Sequence, residues 1–231
     1  IKKGLIVITK TDISTKEEIE TLKLKIGALI KETSLKDFKI IEANMNDDQK
    51  IADVRAELSN IEVDTERVNK PTKFAIDHAF ELRGASVAVG TLINGKIAIH
   101  DELIITPTPF TKKISVNSMQ INQEDVQNAI AGERVGIGIK GVWPWDLPRG
   151  VEIRKEGSYK DIKNGNIKIS VNKLYKYDIK DGSKLTMICN WQEIQITLSN
   201  IKRENNLITA EFNADKNLAF DESDKLIILN K

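Results

Sequence analysis

The segment VGTLINGKIAI, residues 89–99, contains residue types that bind nucleotide phosphates. Gly90 is followed after four residues by Gly95 and Lys96, which approaches the pattern G-x-x-x-x-G-K-[ST]. A phosphate-binding loop needs a strand before it, a helix after it and a hydroxyl after the lysine to bind magnesium. Here Ile97 follows the lysine and opens another strand-like run. The segment therefore predicts no phosphate site, and we expect Lys96 to be a solvated strand residue.

Metal-binding and nucleophilic side chains are scarce. The chain has two histidines, His78 and His100, and one cysteine, Cys189. These residues form no ligand cluster in the sequence, so we predict no metal site. A single cysteine permits no disulfide within the chain and is typical of the reducing cytosol. We expect Cys189 to be a buried structural thiol.

The composition indicates a cytoplasmic protein without a strong global charge. The 231 residues include 35 Lys+Arg and 34 Asp+Glu, a net charge of +1, so a nucleic-acid partner would need a local basic surface. No apolar run approaches the ~20 residues of a membrane-spanning helix. The N-terminal run Leu5–Ile8 indicates a buried strand rather than a signal peptide, and we expect no membrane partner.

The N-terminal sixty residues alternate between strand and helix patterns. Leu5–Ile8 and Phe38–Ile41 are short apolar runs, typical of strands covered on both faces. A helical pattern follows each run. The order strand, helix, strand, helix predicts an α/β unit with parallel strands.

Both predicted helices have recognisable starts. Ser14, with Glu17 three residues later, predicts a capping box for the first helix. Asn46 or Asp47 predicts the cap of the second. The first helix is expected to pack through an apolar stripe: Ile19, Leu22, Ile26, Leu29 and Ile30.

From Phe74 onward the helical period disappears and short β-rich runs alternate with turn residues. The dipeptides Asn94-Gly95, Asn164-Gly165 and Asp181-Gly182 predict hairpins. Many short strands with such turns indicate small β-barrels. We therefore predict an α/β domain at 1–60, a linker at 61–72, and two all-β barrel domains at 73–154 and 155–231.

Three segments, in order along the chain, resemble translational GTPases. Thr9–Asp12 (TKTD) resembles the [NT]-K-x-D guanine motif, Ile76–Pro107 the start of the second domain, and Ala131–Val142 that domain's A-G-x-R-V-G segment. Within this family the chain is similar to the archaeal type of selenocysteine-specific elongation factor (SelB). The resemblance implies the C-terminal remnant of a P-loop GTPase α/β domain, followed by two β-barrels that hold aminoacyl-tRNA.

The resemblance also implies a guanine-binding site. Its residues would be Thr9, Lys10, Asp12, Ala43 and Asn44. Asp12 would accept hydrogen bonds from the guanine base, with Lys10 along the ring. Glu42 stands where the family has a hydroxyl that braces the loop. The alternative is that TKTD is merely a strand end followed by a helix cap.

An aminoacyl pocket is implied at Asp77, His78 and Arg134, which match the residues that line the selenocysteinyl site in this family. A selenol is largely ionised at neutral pH, so a pocket that prefers it to a seryl hydroxyl should offer fixed positive charge and donors. Arg134 is always charged, His78 can become so, and Asp77 can orient them or accept the amino group. The alternative is that all three are ordinary hydrogen-bonded surface residues.

The phosphate loop, the switch regions and the D-x-x-G segment of the family are absent from these 231 residues. We therefore expect weak or no binding of GTP or GDP, magnesium only if a missing part exists, and no catalytic residue. Two explanations stay open: the chain is a piece of a longer protein, or it is a paralogue whose nucleotide domain has degenerated.

Two functions follow from the resemblance. As a SelB-like factor the chain would be a monomer that binds selenocysteinyl-tRNA and works with the ribosome. The alternative is a non-enzymatic ribosome-binding paralogue that acts in translation regulation or dormancy. A GTPase acting on its own is disfavoured, because the phosphate-binding residues are absent.

Two further features have both a binding and a structural interpretation. Trp143-Pro144-Trp145 can stack on a base or a ribosomal surface, but we favour a hydrophobic plug at the end of the second domain. Lysines of the last segment can follow a tRNA stem or form a solvated barrel face. They are Lys168, Lys173, Lys176, Lys180 and Lys184.

Overall fold

The computed structural model describes residues 3–31, 33–62, 65–107, 112–172 and 175–230. The chain divides into two compact units, Ile1–Asp64 and Thr65–Lys231. Among the described residues, no helix has the length and apolar character needed to cross a membrane.

The first unit is a parallel α/β arrangement. Its elements are β1 (Leu5–Ile8), α1 (Lys16–Ile30), β2 (Lys39–Glu42) and α2 (Asp48–Ser59). Strands β1 and β2 pair in parallel, with Leu5 opposite Lys39 and Ile8 opposite Glu42. The predicted order of strands and helices is confirmed. The carboxyl ends of the two strands lie side by side, and this juxtaposition brings the loops that follow them together.

The cap of α1 lies one residue later than the sequence predicts. Thr15 is extended and accepts from the amide of Glu18 at 3.2 Å, while the Glu18 carboxylate accepts from the amide of Thr15 at 2.8 Å. The pattern S/T-x-x-E occurs twice in succession here, and Ser14 instead donates to the Lys10 carbonyl at 3.3 Å. The prediction of Ser14 with Glu17 was therefore wrong. Asp47 caps α2, as predicted.

The predicted apolar stripe of α1 is only partly buried. Ile19 is buried, whereas Leu22 and Leu29 are 43% and 58% exposed. The first unit thus keeps apolar surface on the face of α1 that the sequence assigned to packing.

The second unit consists of antiparallel strands with 3₁₀ helices at Thr65–Asn69 and Pro144–Asp146. Its described strands are β3 (Lys73–Leu82), β4 (Ala85–Asn94), β5 (Lys96–Ala98), β6 (Glu102–Thr106), β7 (Lys112–Ile121), β8 (Glu124–Asp125), β9 (Asn128–Ile130), β10 (Arg134–Ile139), β11 (Glu152–Arg154), β12 (Lys160–Ser170), β13 (Lys184–Cys189), β14 (Gln192–Glu204), β15 (Leu207–Phe220) and β16 (Leu226–Leu229).

The first group of these strands forms a closed barrel. The order is β10-β4-β3-β11-β6-β7-β8, and β10 also pairs with β7, which closes the ring. Strands β5 and β9 form a separate ribbon. Alternate residues of β4 and β10 point inward, as period-two patterning requires. They join a core that includes Phe74, Ile76, Leu92, Ile137 and Ile153.

The remaining strands form a five-stranded antiparallel sheet of order β12-β15-β14-β13-β16. It has its own core, which includes Met187, Ile194, Leu198, Ile208 and Phe212. The all-β character predicted for both segments is confirmed. The turn after β11 separates the two sheets along the chain.

The three predicted hairpin turns are wrong. Gly95 has φ +79, but β5 pairs with β9 instead of β4. Gly165 lies inside β12 opposite Phe212, whose ring lies 3.5 Å from where a Cβ would be. Asp181-Gly182 does form a turn, yet β13 pairs with β14 and β16. Gly165 is therefore a residue within a strand rather than a point of chain reversal.

Strand β3 instead turns into β4 through Arg83 and Gly84, which have φ values of 52° and 77°. Leu82 lies opposite Ala85, so the loop has two residues. Two positive φ values in a two-residue loop define the type I′ turn. Arginine is uncommon at the first position of such a turn, whereas glycine at the second is typical of it.

A buried cluster of charges joins the barrel to the five-stranded sheet. Lys73 Nζ lies 2.5 Å from Asp221 Oδ2 and 2.6 Å from Asp224 Oδ1. Arg154 donates to Glu152 at 2.5 Å, to Asp221 at 2.8 Å and to Asp224 at 3.1 Å. We call these five residues the seam cluster.

Hydrogen bonds and burial set the ionisation of the seam cluster. Burial raises the pKa of Glu152. Burial also raises the pKa of Asp221, but hydrogen bonds from Lys73 and Ser223 outweigh it and lower the pKa to about 2. Asn190 Nδ2 donates to Glu152 at 2.8 Å and to Asp224 at 3.0 Å. Each charged group of the seam cluster therefore has a partner of opposite charge, and Glu152 and Asp224 also accept a hydrogen bond from the Asn190 side chain.

Candidate functional site

The three residues predicted for the aminoacyl pocket lie together on the outside of the barrel. Asp77 and His78 belong to β3, and Arg134 is the first residue of β10. Arg134 Nη2 donates to Asp77 Oδ2 at 2.9 Å, and His78 Nδ1 lies 3.6 Å from the same oxygen. We call Asp77, His78 and Arg134 the β3–β10 cluster.

A β-bulge in β3 turns these side chains outward. The register with β4 shifts between Ile76 and His78, so Asp77 is the extra residue. Before the bulge Ile76 points into the core, and after it Ala79 packs against the same core. His78 therefore faces outward beside Asp77. The bulge thus places two adjacent side chains on the outward face.

Gly90 permits the close approach of β3 and β4 at this point. A Cβ on Gly90 would lie 2.0 Å from the Ala75 carbonyl oxygen, so another residue would displace the strands. Thr91 lies opposite Ala75 on one side and opposite Arg134 on the other. This cross-strand row places Arg134 beside the bulge. Gly90 thus serves the close packing of the two strands.

The β3–β10 cluster is accessible to a ligand. The exposed fractions of the Asp77, His78 and Arg134 side chains are 33%, 55% and 56%. The hydrogen bond from Arg134 lowers the pKa of Asp77, with a smaller contribution from His78. The His78 ring stacks on Phe80 with centroids 6.2 Å apart. A fixed guanidinium, a braced imidazole and a carboxylate that orients them can together bind an anionic group next to an ammonium.

The residues implied for guanine binding lie in two neighbouring loops of the first unit. The amide of Ala43 donates to the Ile8 carbonyl at 2.8 Å, so the loop after β2 continues beside the end of β1. Lys10 has φ 60, a left-handed conformation that turns the chain directly after β1. Thr9, Asp12 and Asn44 follow the same two strand ends.

Contacts within these loops involve residues that the sequence did not assign to the site. Thr11 Oγ1 donates to the Ala43 carbonyl at 3.3 Å and braces one loop against the other. Asn46 Nδ2 donates to Asp12 Oδ2 at 3.1 Å, and the Asn46 amide donates to Asn44 Oδ1 at 2.6 Å. The sequence marked Asn46 only as a possible cap of the second helix. Thr11 occupies the variable position x of the [NT]-K-x-D motif, so the motif assigns it no role.

Two lysines pair with the carboxylate of Glu42, the residue that, from the sequence resemblance, stands in place of a loop-bracing hydroxyl. Lys23 Nζ lies 2.7 Å from Glu42 Oε1, and Lys50 Nζ lies 3.5 Å from Glu42 Oε2. The hydrogen bond from Lys23 lowers the pKa of Glu42. Lys50 also donates to the Thr11 hydroxyl at 3.3 Å. Thr11 thus supplies a hydroxyl brace next to the position where Glu42 lacks one.

The tryptophan pair is not a hydrophobic plug. Trp143 and Trp145 are 54% and 70% exposed, whereas Val142 and Leu147 of the same turn are buried. The indole rings stack on one another, with centroids 4.8 Å apart and an angle of 9° between the ring planes. The structural interpretation favoured from the sequence is therefore wrong, because flanking aliphatic residues fill the barrel end instead.

The remaining candidates have simple placements. Lys96, Lys168, Lys176, Lys180 and Lys184 are exposed, as expected for solvated lysines, and Lys173 lies outside the described residues. Cys189 is fully buried, and burial raises its pKa to about 12, so the predicted structural thiol is confirmed. In the described part of the chain, no group of three His, Cys, Asp or Glu side chains could hold a metal ion.

The curated proteins to which this chain is similar include translation elongation factors. Elongation factor 1-alpha of Pyrococcus horikoshii is 27% identical over 65% of this chain and 40% of its own length. The selenocysteine-specific elongation factor of Methanocaldococcus jannaschii is 29% identical over 97% of this chain and 52% of that protein. An uncharacterized protein of the same organism is 29% identical over 87% of this chain and 61% of its own. No protein-family model matches.

Solved structures show the same fold. A bacterial selenocysteine-specific elongation factor has a TM-score of 0.83 and 22% identity over 100% of this chain and 38% of its own. SelB from Methanococcus maripaludis, in complex with a GTP analogue, has a TM-score of 0.82 and 24% identity over 98% of this chain and 54% of that one. The predicted resemblance to selenocysteine-specific elongation factors is confirmed. The chain spans about half the length of the first of its curated relatives, 52%.

Proposed function

We propose that this chain is the tRNA-holding part of a SelB-like elongation factor, with the aminoacyl end bound at the β3–β10 cluster. The observation that carries the proposal is the convergence of Asp77, His78 and Arg134 around one carboxylate oxygen on the open face of the barrel. Asp77 and Arg134, which are 57 positions apart in sequence, meet there beside His78. Their chemistry fits an anionic side chain next to the amino group of an ester.

The pocket would select by charge. A selenolate placed near the Arg134 guanidinium gains a charge-assisted hydrogen bond, whereas a seryl hydroxyl offers only a neutral partner. Asp77 is held ionised by Arg134, so it is available to accept from the aminoacyl ammonium. Stacking on Phe80 would hold the imidazole of His78 towards the ligand.

The five-stranded sheet would contact the tRNA stem. Its exposed lysines Lys168, Lys176, Lys180 and Lys184 would bind phosphates without reading sequence. The domain division proposed from the sequence, 1–60, 61–72, 73–154 and 155–231, assigns the barrel to the aminoacyl end and this sheet to the stem.

The first unit would be the C-terminal remnant of a GTPase domain. The loops with Lys10, Asp12, Ala43 and Asn44 are braced together and would contact the guanine base. Phosphate and magnesium contacts would come from segments that these 231 residues do not contain. Affinity for GTP or GDP in this chain would then be weak, in the millimolar range or below detection.

The comparisons give no support to the alternative of a ribosome-binding regulator, because the relatives whose names state a function are elongation factors. We therefore keep the ribosome as a partner of the factor and do not propose a role in dormancy.

The decisive experiment compares binding of selenocysteinyl-tRNA and seryl-tRNA to the intact chain at fixed salt. Arg134→Ala should reduce the preference for the selenocysteinyl form by about tenfold to a hundredfold, the range for a lost hydrogen bond to a charged group. Arg203→Ala is the matched control, because Arg203 is also an exposed arginine, lying 3.8 Å from Asp178. It should weaken both complexes equally and leave their ratio unchanged.

Two outcomes would overturn the proposal. Equal affinity of the wild-type chain for the two forms would remove the selectivity claim. Binding of neither form would remove the tRNA-holding role itself.

A further inference from the structure

The turn around Trp143 and Trp145 presents an aromatic surface that the proposed aminoacyl site does not use. Single exposed apolar side chains are common on protein surfaces, whereas adjacent ones that form a patch mark sites of interaction. Here two indoles are 54% and 70% exposed and stack in parallel. The stacked pair is therefore largely accessible to solvent.

The turn holds this surface in a fixed conformation. Pro144 begins the 3₁₀ helix, and Asp146 Oδ2 accepts from the amide of Trp143 at 3.3 Å. Val142 and Leu147 anchor the turn in the barrel core. Ser86 Oγ also donates to the Val142 carbonyl at 2.6 Å. A rigid aromatic platform loses little entropy on binding.

Two lysines lie next to the tryptophan turn, one in space and one along the chain. Lys112 Nζ lies 3.5 Å from Asp146 Oδ2, the same oxygen that holds the Trp143 amide, so its ammonium lies beside the turn. Lys140 is exposed three residues before Trp143, and its amide is fixed by the Asn117 side chain at 3.1 Å. Aromatic faces combined with lysines suit unpaired nucleotides, because bases stack and phosphates pair with ammonium groups.

The platform and the β3–β10 cluster lie at opposite ends of β10. Arg134 begins this strand and Ile139 ends it opposite Ser86, the residue that binds the tryptophan turn. Five residue steps in a strand correspond to about 17 Å. A base on the platform is therefore not the aminoacylated terminus.

We propose that Trp143 and Trp145, with Lys112 and Lys140, bind an unpaired segment of an RNA other than the transfer RNA. One base stacks on the open face of the indole pair and the adjacent phosphates meet the lysines. This site goes beyond the proposed aminoacyl pocket and does not depend on its selectivity.

The test uses the intact chain and a fluorescein-labelled ten-nucleotide single-stranded RNA, followed by anisotropy at two salt concentrations. The double variant Trp143→Ala with Trp145→Ala should weaken binding by about tenfold or more, as loss of base stacking does. Trp143→Phe with Trp145→Phe should restore most of the affinity, because the stacking faces remain. Trp191→Phe is the matched control and should change affinity less than twofold.

Two further measurements distinguish the tryptophan platform from the proposed aminoacyl and transfer RNA sites. Arg134→Ala should leave binding of the oligonucleotide unchanged, so failure of the aminoacyl pocket and failure of the platform give different results. The double alanine variant should bind selenocysteinyl-tRNA as the wild type does. Loss of tRNA binding in that variant would assign the tryptophans to the transfer RNA site and overturn the proposal.

Three other results would also overturn it. These are no binding of the oligonucleotide by the wild-type chain, equal binding of a duplex of the same length, or a concentration-dependent dimer that the double alanine variant abolishes. The last result would identify the platform as a contact between copies of this chain.

Discussion

Two ion clusters share strand β3, and they differ mainly in burial. Lys73 belongs to the seam cluster, and its side chain is 2% exposed; Asp77, four residues later, belongs to the β3–β10 cluster and is 33% exposed. Both clusters pair carboxylates with an arginine from another strand. In the seam cluster Arg154 is 1% exposed, whereas Arg134 is 56% exposed.

This difference separates structural from ligand-binding chemistry. Charges that have left water must keep all their partners, because a buried charge without a partner is strongly unfavourable. Charges that remain in water can exchange a protein partner for a ligand at little cost. The seam cluster therefore holds two sheets together, while the β3–β10 cluster keeps its groups available.

The largest effect is expected from Arg154→Met. The change leaves Glu152, Asp221 and Asp224 buried with Lys73 as the remaining cation of the seam cluster, so the free energy of unfolding should fall by about 3–5 kcal/mol. Urea titration followed by circular dichroism measures the loss. Arg134→Met is the control and should leave the unfolding curve unchanged. A similar small effect for both arginines would abolish the distinction between the clusters.

A smaller effect is expected in acid. The folded-state pKa of Asp221 is about 2, below the usual value of ~3.9, so its contribution to stability is present above pH ~4 and is lost as the pH falls towards 2. Unfolding midpoints should drop over this window in the wild type and less in Asp221→Asn. Glu152 acts in the opposite direction, because its raised pKa makes its ionisation unfavourable in the folded state. Parallel curves for the wild type and Asp221→Asn would contradict the assignment.

Cys189 provides a local measure of whether the seam stays closed. Its pKa of about 12 leaves almost no thiolate at pH 8, and its sulfur lies 3.9 Å from Asn190 Nδ2, which binds the seam cluster. A disulfide reagent should therefore react slowly with the folded wild type and faster with Arg154→Met. Equal rates for the wild-type protein in water and in urea would show that the thiol is already accessible.

The smallest effect on stability is expected from Asp77→Asn. Asp77 is only partly buried and its partner Arg134 can be solvated instead, so thermal unfolding should match the wild type. The change removes the carboxylate that orients Arg134, and binding of selenocysteinyl-tRNA should weaken while the fold is unaffected. A clear loss of stability would make the β3–β10 cluster a structural element like the seam.

The sequence predicts the kinds of elements and the members of the β3–β10 cluster better than it predicts turns and burial. Asp77, His78 and Arg134 were identified from motifs, and the bulge that brings them together has no local sequence signal. Asn164-Gly165 carries the residues of a hairpin, but the two residues pair with Asn213 and Phe212 inside a strand. At these two residues, pairing with a distant strand thus outweighs the local preference for a turn.

The seam cluster was not predicted at all. Lys73 and Asp224 are 151 positions apart in sequence, and a lysine among strand residues is expected to face water. Only the meeting of two sheets makes its burial possible. In the same way, the contact of Asn46 with Asp12 depends on two loops that the parallel pairing of β1 and β2 brings side by side.

The bulge at Asp77 adds one residue to the regular alternation of inward and outward side chains in β3. Upstream of it Ile76 faces inward, and downstream the phase is reversed so that Ala79 faces inward and His78, Phe80 and Leu82 face outward. Removing Asp77 would make the alternation regular and leave Ala79 inward and Phe80 outward, but only one outward side chain would then stand where Asp77 and His78 now lie next to each other. The strand therefore presents a carboxylate and an imidazole side by side because it is one residue longer than its partner at this point.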